Sequence, residues 1–322
     1  MSTPQLDADA VDAEAAAKDK TGWSRLGYEM REPTWDSSDM AHVAGRTVVV
    51  TGATAGLGLA TAERLVELGA RVVLLSRNAD KLATVAAEIE ERTGKPVLGT
   101  VTCDLGSLAS VRAAAAELLE RFDEIHVLVN NAGILIHEHL TTEDGFESVW
   151  VTNLLGPYLL TELLMDRIKA SAPSRVIEVT SGGMYSQKID VEDHQTLNQD
   201  YEGRAVYSRT KRGQVILTEV RAEQHAGSGV VFHSMHPGWA ATPGVYESIP
   251  DFAEKFQEIL RTPEQGADTT VWLASADAPA ESNGLLWQDR RPRETYRDES
   301  TRETPEERAR LIELLHEQAG LA

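Results

Sequence analysis

The chain has 322 residues, 42% hydrophobic and 25% charged, enough for one large α/β core or two small ones. Its 31 basic against 51 acidic residues give a formal net charge of −20, which argues against nucleic acid and anionic membrane surfaces as partners. The single Cys103 excludes an internal disulfide. With no apolar leader at the N-terminus and no run of about 18 apolar residues, this fits a cytoplasmic protein.

In chain order, residues 1–20 are rich in Ala and Asp and read as a disordered tail. Residues 22–42 carry Trp23, Tyr28 and Trp35, too aromatic for a free tail, and are expected to lie across the domain body. Together residues 1–42 form an N-terminal extension. From Arg46, short β-branched runs alternate with helix-length stretches: 46–52, 71–76, 96–103, 126–130, 175–181, 230–235 and 284–288. Continuous apolar runs of this kind suit strands buried on both faces of a parallel sheet. The alternation predicts a single Rossmann-type doubly wound α/β domain over 43–300, with seven parallel strands in order 3-2-1-4-5-6-7 flanked by helices. In the last segment, 301–322, Thr304-Pro305-Glu306-Glu307 starts a helix with an N-cap, a first-turn proline and acids on the dipole. Leu311, Ile312, Leu314 and Leu315 give that helix an apolar stripe for the domain or a partner subunit.

The stretch TGATAGLG follows the first strand and opens an amphipathic helix. Gly52 permits a tight turn, while Gly56 and Gly58 let backbone approach phosphate and helix approach strand; Thr54, Ala55 and Leu57 complete the turn. In this context the G-x-x-x-G-x-G spacing predicts a dinucleotide site. At the end of the second strand, LLSRN puts Ser76 where an acid would bond the ribose hydroxyls of NAD, followed by Arg77 and Asn78. A guanidinium can pair with a 2′-phosphate, so NADP(H) is favoured over NAD(H). Farther on, YSRTK places Tyr207 and Lys211 four positions apart, on one helix face. A phenol near pKa 10 is a poor base until a neighbouring ammonium favours its ionised form.

Six ordered motifs between about Arg46 and Gln288 resemble the short-chain dehydrogenase/reductase family: TGATAGLG, CDL, NNAG, TNLLGP, VTSGG with YSRTK, and HPGWAATP. Four further stretches, among them VTSGGMYSQK and LLWQDRRPRET, resemble the subgroup called dehydrogenase/reductase member twelve, near the retinol-dehydrogenase-like reductases. The resemblance implies that Asp104 and Leu105 meet the adenine end of the cofactor and that Asn131, Ala132 and Gly133 line it. Pro237, Gly238 and Thr242 would contact the nicotinamide carboxamide. It also implies that Tyr207 is the acid or base, Ser181 bonds the substrate oxygen, and Lys211 lowers the tyrosine pKa and holds the ribose. Asn153 would order a water leading from Lys211 to solvent.

A small-molecule carbonyl or secondary alcohol, of apolar character, is the expected substrate. Segments 182–205 and 239–262 would line its pocket, with Tyr185, Trp239 and Tyr246 as candidates. The aromatic residues of 239–262 fit either a mobile lid or plain packing. HEH at 137–139 lacks companions at ligand spacing and reads as a loop at the site mouth, so no metal is expected. Family members commonly form homodimers or homotetramers, and that assembly is expected here. The rival from another class is a protein that binds NADP without catalysis, as a scaffold or sensor; all four catalytic residue types are nevertheless present. Methyltransferases have no use for Y-x-x-x-K, and NAD-dependent epimerases usually show a different glycine spacing.

Overall fold

Valine, leucine and isoleucine fill the central strands, and a segment apolar on both faces is stable only where helices cover both sides. That is the arrangement in the computed structural model, which describes residues 7–38 and 40–321. Strands β1 (Thr47–Thr51), β2 (Arg71–Ser76), β3 (Gly99–Thr102), β4 (Val127–Asn130), β5 (Ser174–Val179), β6 (Val230–Met235), β7 (Leu285–Gln288) and β8 (Arg291–Arg293) form one sheet in the order β3-β2-β1-β4-β5-β6-β7-β8. Ahead of the sheet lie helices α1 (Ala8–Ala16), α2 (Asp19–Gly22) and α3 (Arg25–Arg31). Then follow α4 (Gly56–Glu67), α5 (Ala79–Thr93), α6 (Leu108–Arg121), the single turn α7 (Ser148–Trp150), α8 (Gly156–Ala170), α9 (Gly203–Gln224), α10 (Pro243–Ser248), α11 (Pro250–Phe256), α12 (Pro263–Ser275) and α13 (Pro305–Gln318).

Successive strand residues point to opposite faces, and β1 shows the consequence. Val48 and Val50 join Leu65 of α4, Leu82 of α5 and Leu273 of α12 on one side. Val49 joins Leu118 of α6, Leu160 of α8 and Ile216 of α9 on the other. The chain reverses direction across the sheet between β1 and β4, the place where open α/β sheets hold ligands at their C-terminal strand ends. Among the described residues no helix is long and apolar enough to cross a membrane.

The structure departs from the sequence reading at two places. The sheet has eight strands, because β8 folds back antiparallel on β7. Asp289 and Arg290 form its two-residue turn with φ of +53° and +56°; both central residues of such a turn need positive φ, and Asp-Arg is a weak signal for it. The Asp289 carboxylate compensates, because Arg261 and Arg31 hold it. Second, the described part of the acidic tail is helical rather than disordered. Asp7 caps α1, and the acids meet a basic edge: Asp9 pairs with Arg291, Asp12 with Arg31 and Arg293, and Asp19 with Arg297. Residues 1–6 lie outside the described residues. At the other end, Thr304 and Glu307 form a reciprocal capping box, and Leu311, Leu314 and Leu315 bury against the domain.

Candidate active site

The turn after β1 is built around Thr51. Its Oγ1 accepts from the N–H groups of Asn131 (2.9 Å) and Ala132 (3.0 Å), and the Asn131 side chain donates to the Thr51 carbonyl at 2.9 Å. The loop after β4 is thereby stitched to the glycine turn. Gly52 and Gly56 adopt φ of +65° and +53°, a conformation that favours glycine. A β-carbon on Gly58 would lie 2.3 Å from the Gly52 carbonyl, so this turn tolerates no side chain there. No side chain caps the N-terminus of α4, which starts at Gly56, so its first N–H groups remain available to an anion.

Along the cofactor side, Ser76 Oγ lies 3.2 Å from Thr54 Oγ1. Arg77 is exposed at the end of β2. Asn78 uses its Oδ1 to cap α5 through the Lys81 N–H. Asp104 accepts from the Gly106 N–H at 2.9 Å. The Leu105 side chain is buried in the core, which leaves only its main chain to face the cleft.

Ser181, just after β5, accepts from the Gly183 N–H and its side chain lies close enough to Tyr207 to favour the ionised phenol. Burial pushes the Tyr207 phenol above its ordinary pKa, and Ser181 works against that rise. Lys211 was expected to lower the phenol pKa; its ammonium lies over the Tyr207 ring while it bonds to other groups. Its Nζ donates to the Val179 carbonyl (2.9 Å) and to Gln214 Oε1 (3.1 Å), 5.6 Å from the centre of the Tyr207 ring. Burial brings the Lys211 pKa down to about 8, with the buried Glu178 carboxyl opposing that fall. Asn153 sits in a π-turn, Val151–Leu155, between α7 and α8. Its Oδ1 accepts from the Ile134 N–H (2.8 Å) and its Nδ2 donates to the Ile134 carbonyl (2.9 Å) and Thr210 Oγ1 (3.2 Å). A β-carbon on Gly133 would be 3.2 Å from Lys211 Nζ and 3.3 Å from Asn153 Oδ1, so the two converge on one glycine. The four catalytic candidates are therefore neighbours in the fold.

The sequence profile of the short chain dehydrogenase family matches residues 46–251. The chain belongs to the short-chain dehydrogenase/reductase family. It is similar to dehydrogenase/reductase SDR family member 12 of Bos taurus, 37% identical over 309 residues that cover 94% of this chain and 96% of that protein. It is also similar to human retinol dehydrogenase 13, 34% identical over 286 residues that cover 85% and 86%. Among solved structures, an uncharacterised protein from Mycobacterium paratuberculosis superposes with a TM-score of 0.71 at 28% identity, covering 89% of this chain and 97% of that one. The Pseudomonas aeruginosa RhlG/NADP active-site complex does so with a TM-score of 0.64 at 26% identity, covering 77% and 96%.

In this short-chain dehydrogenase/reductase, the segment after β6 closes the cleft from the other side. Gly238 has φ +74° and no room for a β-carbon, which would lie 2.5 Å from the Trp23 carbonyl and from Arg261 Nε. Thr242 caps α10 and packs against Gly56. Trp239 packs on Phe252 and Phe256 with ring centres 5.3 and 4.7 Å apart, whereas Tyr246 is half exposed; the segment 239–262 is thus part packing and part open surface. His137 bonds the Ser248 carbonyl (2.7 Å) and Ser248 Oγ the Leu135 carbonyl (2.7 Å), which ties α10 to the loop after β4. His139 bonds the Gln195 carbonyl. Tyr185 donates to the Glu294 carbonyl at 2.8 Å.

The sequence reading missed Gln214, whose Nε2 donates to the Asn153 carbonyl (2.9 Å) while its Oε1 receives Lys211. Its position three residues after Lys211, on the same helix face, was the available signal. It also missed Glu178, fully buried on β5, with Asn130 and Arg221 on Oε1 and no partner on Oε2. Nothing in the run RVIEVTS separates that acid from an edge residue.

Proposed function

We propose that the chain is an NADP(H)-dependent oxidoreductase that interconverts a carbonyl compound and a secondary alcohol. The observation that carries the reading is that Ser181, Tyr207, Lys211 and Asn153 are neighbours in the fold, beside a glycine turn fit for a diphosphate. The cofactor's fit rests on the uncapped start of α4, the positive-φ glycines and the absence of any acid in LLSRN. Gly52, Gly56, Gly58 and Thr54 would hold the diphosphate, Ser76 and Arg77 the 2′-phosphate, and Asp104 the adenine. Asn131, Ala132, Gly133, Pro237, Gly238 and Thr242 would line the remainder. RhlG, 26% identical, carries NADP in its structure, which supports the choice. When bound, the nicotinamide supplies or accepts the hydride.

The chain's own residues handle the proton and the charge. Tyr207 gives its phenolic proton to the substrate oxygen in reduction and takes it back in oxidation. Ser181 donates its hydroxyl to that same oxygen, where charge develops. A Tyr207 phenol raised by burial stays protonated at rest, and the cost falls on giving that proton to the substrate oxygen. Lys211 offsets that cost as an ammonium on the same helix face, held in place by Val179 and Gln214. Gln214 and Asn153 complete the chain of hydrogen bonds from Lys211 to the loop after β4. A panel of ketones and aldehydes with NADPH as reductant, the alcohol product being identified, tests the proposal. Turnover of at least one class is expected; NADPH binding without turnover of any would point to a binding protein instead.

A further inference from the structure

We infer that Trp23, on the N-terminal extension, is a specificity-determining wall of the substrate pocket that selects flat, apolar carbonyl compounds. The inference rests on the proposed oxidoreductase reading, since the pocket is defined by Ser181 and Tyr207. The backbone around Trp23 is locked to the segment after β6. The Gly22 carbonyl accepts from Arg31, Arg261 and Gln288, and the Trp23 carbonyl accepts from the Trp239 N–H at 2.6 Å. Gly238 leaves no space between them. The extension is therefore fixed to the Pro237–Gly238 turn.

The indole itself reaches the catalytic serine's neighbour. A β-carbon added to Gly182, the residue after Ser181, would lie 3.0 Å from Trp23 Cζ3 and 3.1 Å from His236 Nε2. Glycine at 182 thus makes room for the indole beside Ser181. Tyr185 stacks on the indole with centres 6.0 Å apart, and His236 and Trp239 meet it edge-on at 4.8 and 6.2 Å. Trp239 continues the surface to Phe252 and Phe256. Trp23 thus contacts two of the pocket candidates, Tyr185 and Trp239.

The groups around this wall carry little free charge. His236 Nδ1 accepts from the Gly238 N–H, so the proton sits on Nε2, and burial lowers its pKa to about 3. The ring is neutral at physiological pH. Arg297 lies over Trp23 and Tyr185 at 4.5 and 4.6 Å but is neutralised by Asp19. A surface of rigid rings, with the unpartnered His236 Nε2 and the catalytic hydroxyls as its hydrogen-bonding groups, favours flat apolar ligands over small hydrated ones.

The test compares wild type, Trp23→Ala and Trp23→Phe with 2-acetonaphthone and 2-butanone, by calorimetric binding and by turnover with NADPH. The expected result is a rise of at least about tenfold in the acetonaphthone Kd and KM for Trp23→Ala. Its kcat and the 2-butanone constants should stay within about twofold, with most of the loss restored in Trp23→Phe. A parallel loss for both ketones, or no change for the aryl ketone, would overturn the inference; so would failure of wild type to bind 2-acetonaphthone. If neither ketone is turned over but the binding contrast persists, the pocket assignment stands and the oxidoreductase reading fails. An unchanged NADPH Kd in both variants shows that the fold around the cofactor is intact.

Discussion

Asp289→Asn should unsettle the junction that holds the extension to the domain. The Asp289 carboxylate is 1% exposed. It receives two bonds from Arg261 (2.6 and 2.8 Å) and one from Arg31 (2.7 Å). Removing its charge leaves two buried guanidiniums facing each other. Breaking a buried pair in this way costs about 3–5 kcal/mol. The lower end applies here, because Arg31 keeps Asp12 and Arg261 keeps the carbonyls of Gly22, Ser24 and Pro237. At ~2 °C per kcal/mol for a domain of this size, the melting temperature should fall by roughly 6 °C. Glu313→Gln, in the exposed pair with Arg310, should shift it by no more than about 1 °C. The pH dependence gives a second readout. Burial alone would raise the Asp289 pKa, but Arg261 and Arg31 outweigh it and hold the carboxyl below its ordinary 3.8. Its contribution is therefore fully present above that value and lost as pH falls through the folded pKa. The gap between wild type and Asp289→Asn should stay constant down to about pH 4 and narrow only below. A variant that melts within about 2 °C of wild type would mean that the Asp289 charge does not hold this junction.

Two further outcomes concern the cofactor. Arg77→Asp should weaken NADPH binding by roughly 10–100-fold, the loss of a charge-assisted pair, while NADH binding holds or improves; equal losses for both cofactors, measured by calorimetry, would remove Arg77 from the 2′-phosphate. Burial brings the Lys211 pKa to about 8, below its ordinary value, so it loses its charge as pH rises through about 8. NADPH affinity should be flat below that pH and weaken above it, and Lys211→Met should remove the step; a step that survives the substitution belongs to another group.

What was legible in the sequence follows the range of the forces involved. The strands β1, β4 and β5 show as unbroken apolar runs because burial on both faces demands it, and TGATAGLG shows because backbone geometry there excludes side chains. The Tyr207–Lys211 spacing is a property of one helix, and so is readable from five letters. The rest depends on contacts between residues far apart in the chain. The acidic tail reads as unstructured because Asp9, Asp12 and Asp19 meet their arginines only after residues 291–297 have folded beside them. The β7–β8 turn is held by Arg31 and Arg261, remote in sequence from Asp289. Trp23 was recognised as too aromatic for a tail, but its place beside Gly182 is a tertiary fact. The direction taken by the Lys211 ammonium likewise follows from Val179 and Gln214, not from its distance to Tyr207 along the helix.

Whether Tyr207 moves the proton is decided by Tyr207→Phe, with NADPH affinity and single-turnover reduction of a carbonyl substrate measured on the same preparation. Loss of the phenol removes a proton donor that contributes about 10²–10⁴-fold to such steps. The expected result is an NADPH Kd within about twofold of wild type and a reduction rate lower by at least about a hundredfold. A Tyr207→Phe protein that still reduces the substrate at a rate close to wild type would contradict Tyr207 as the proton donor.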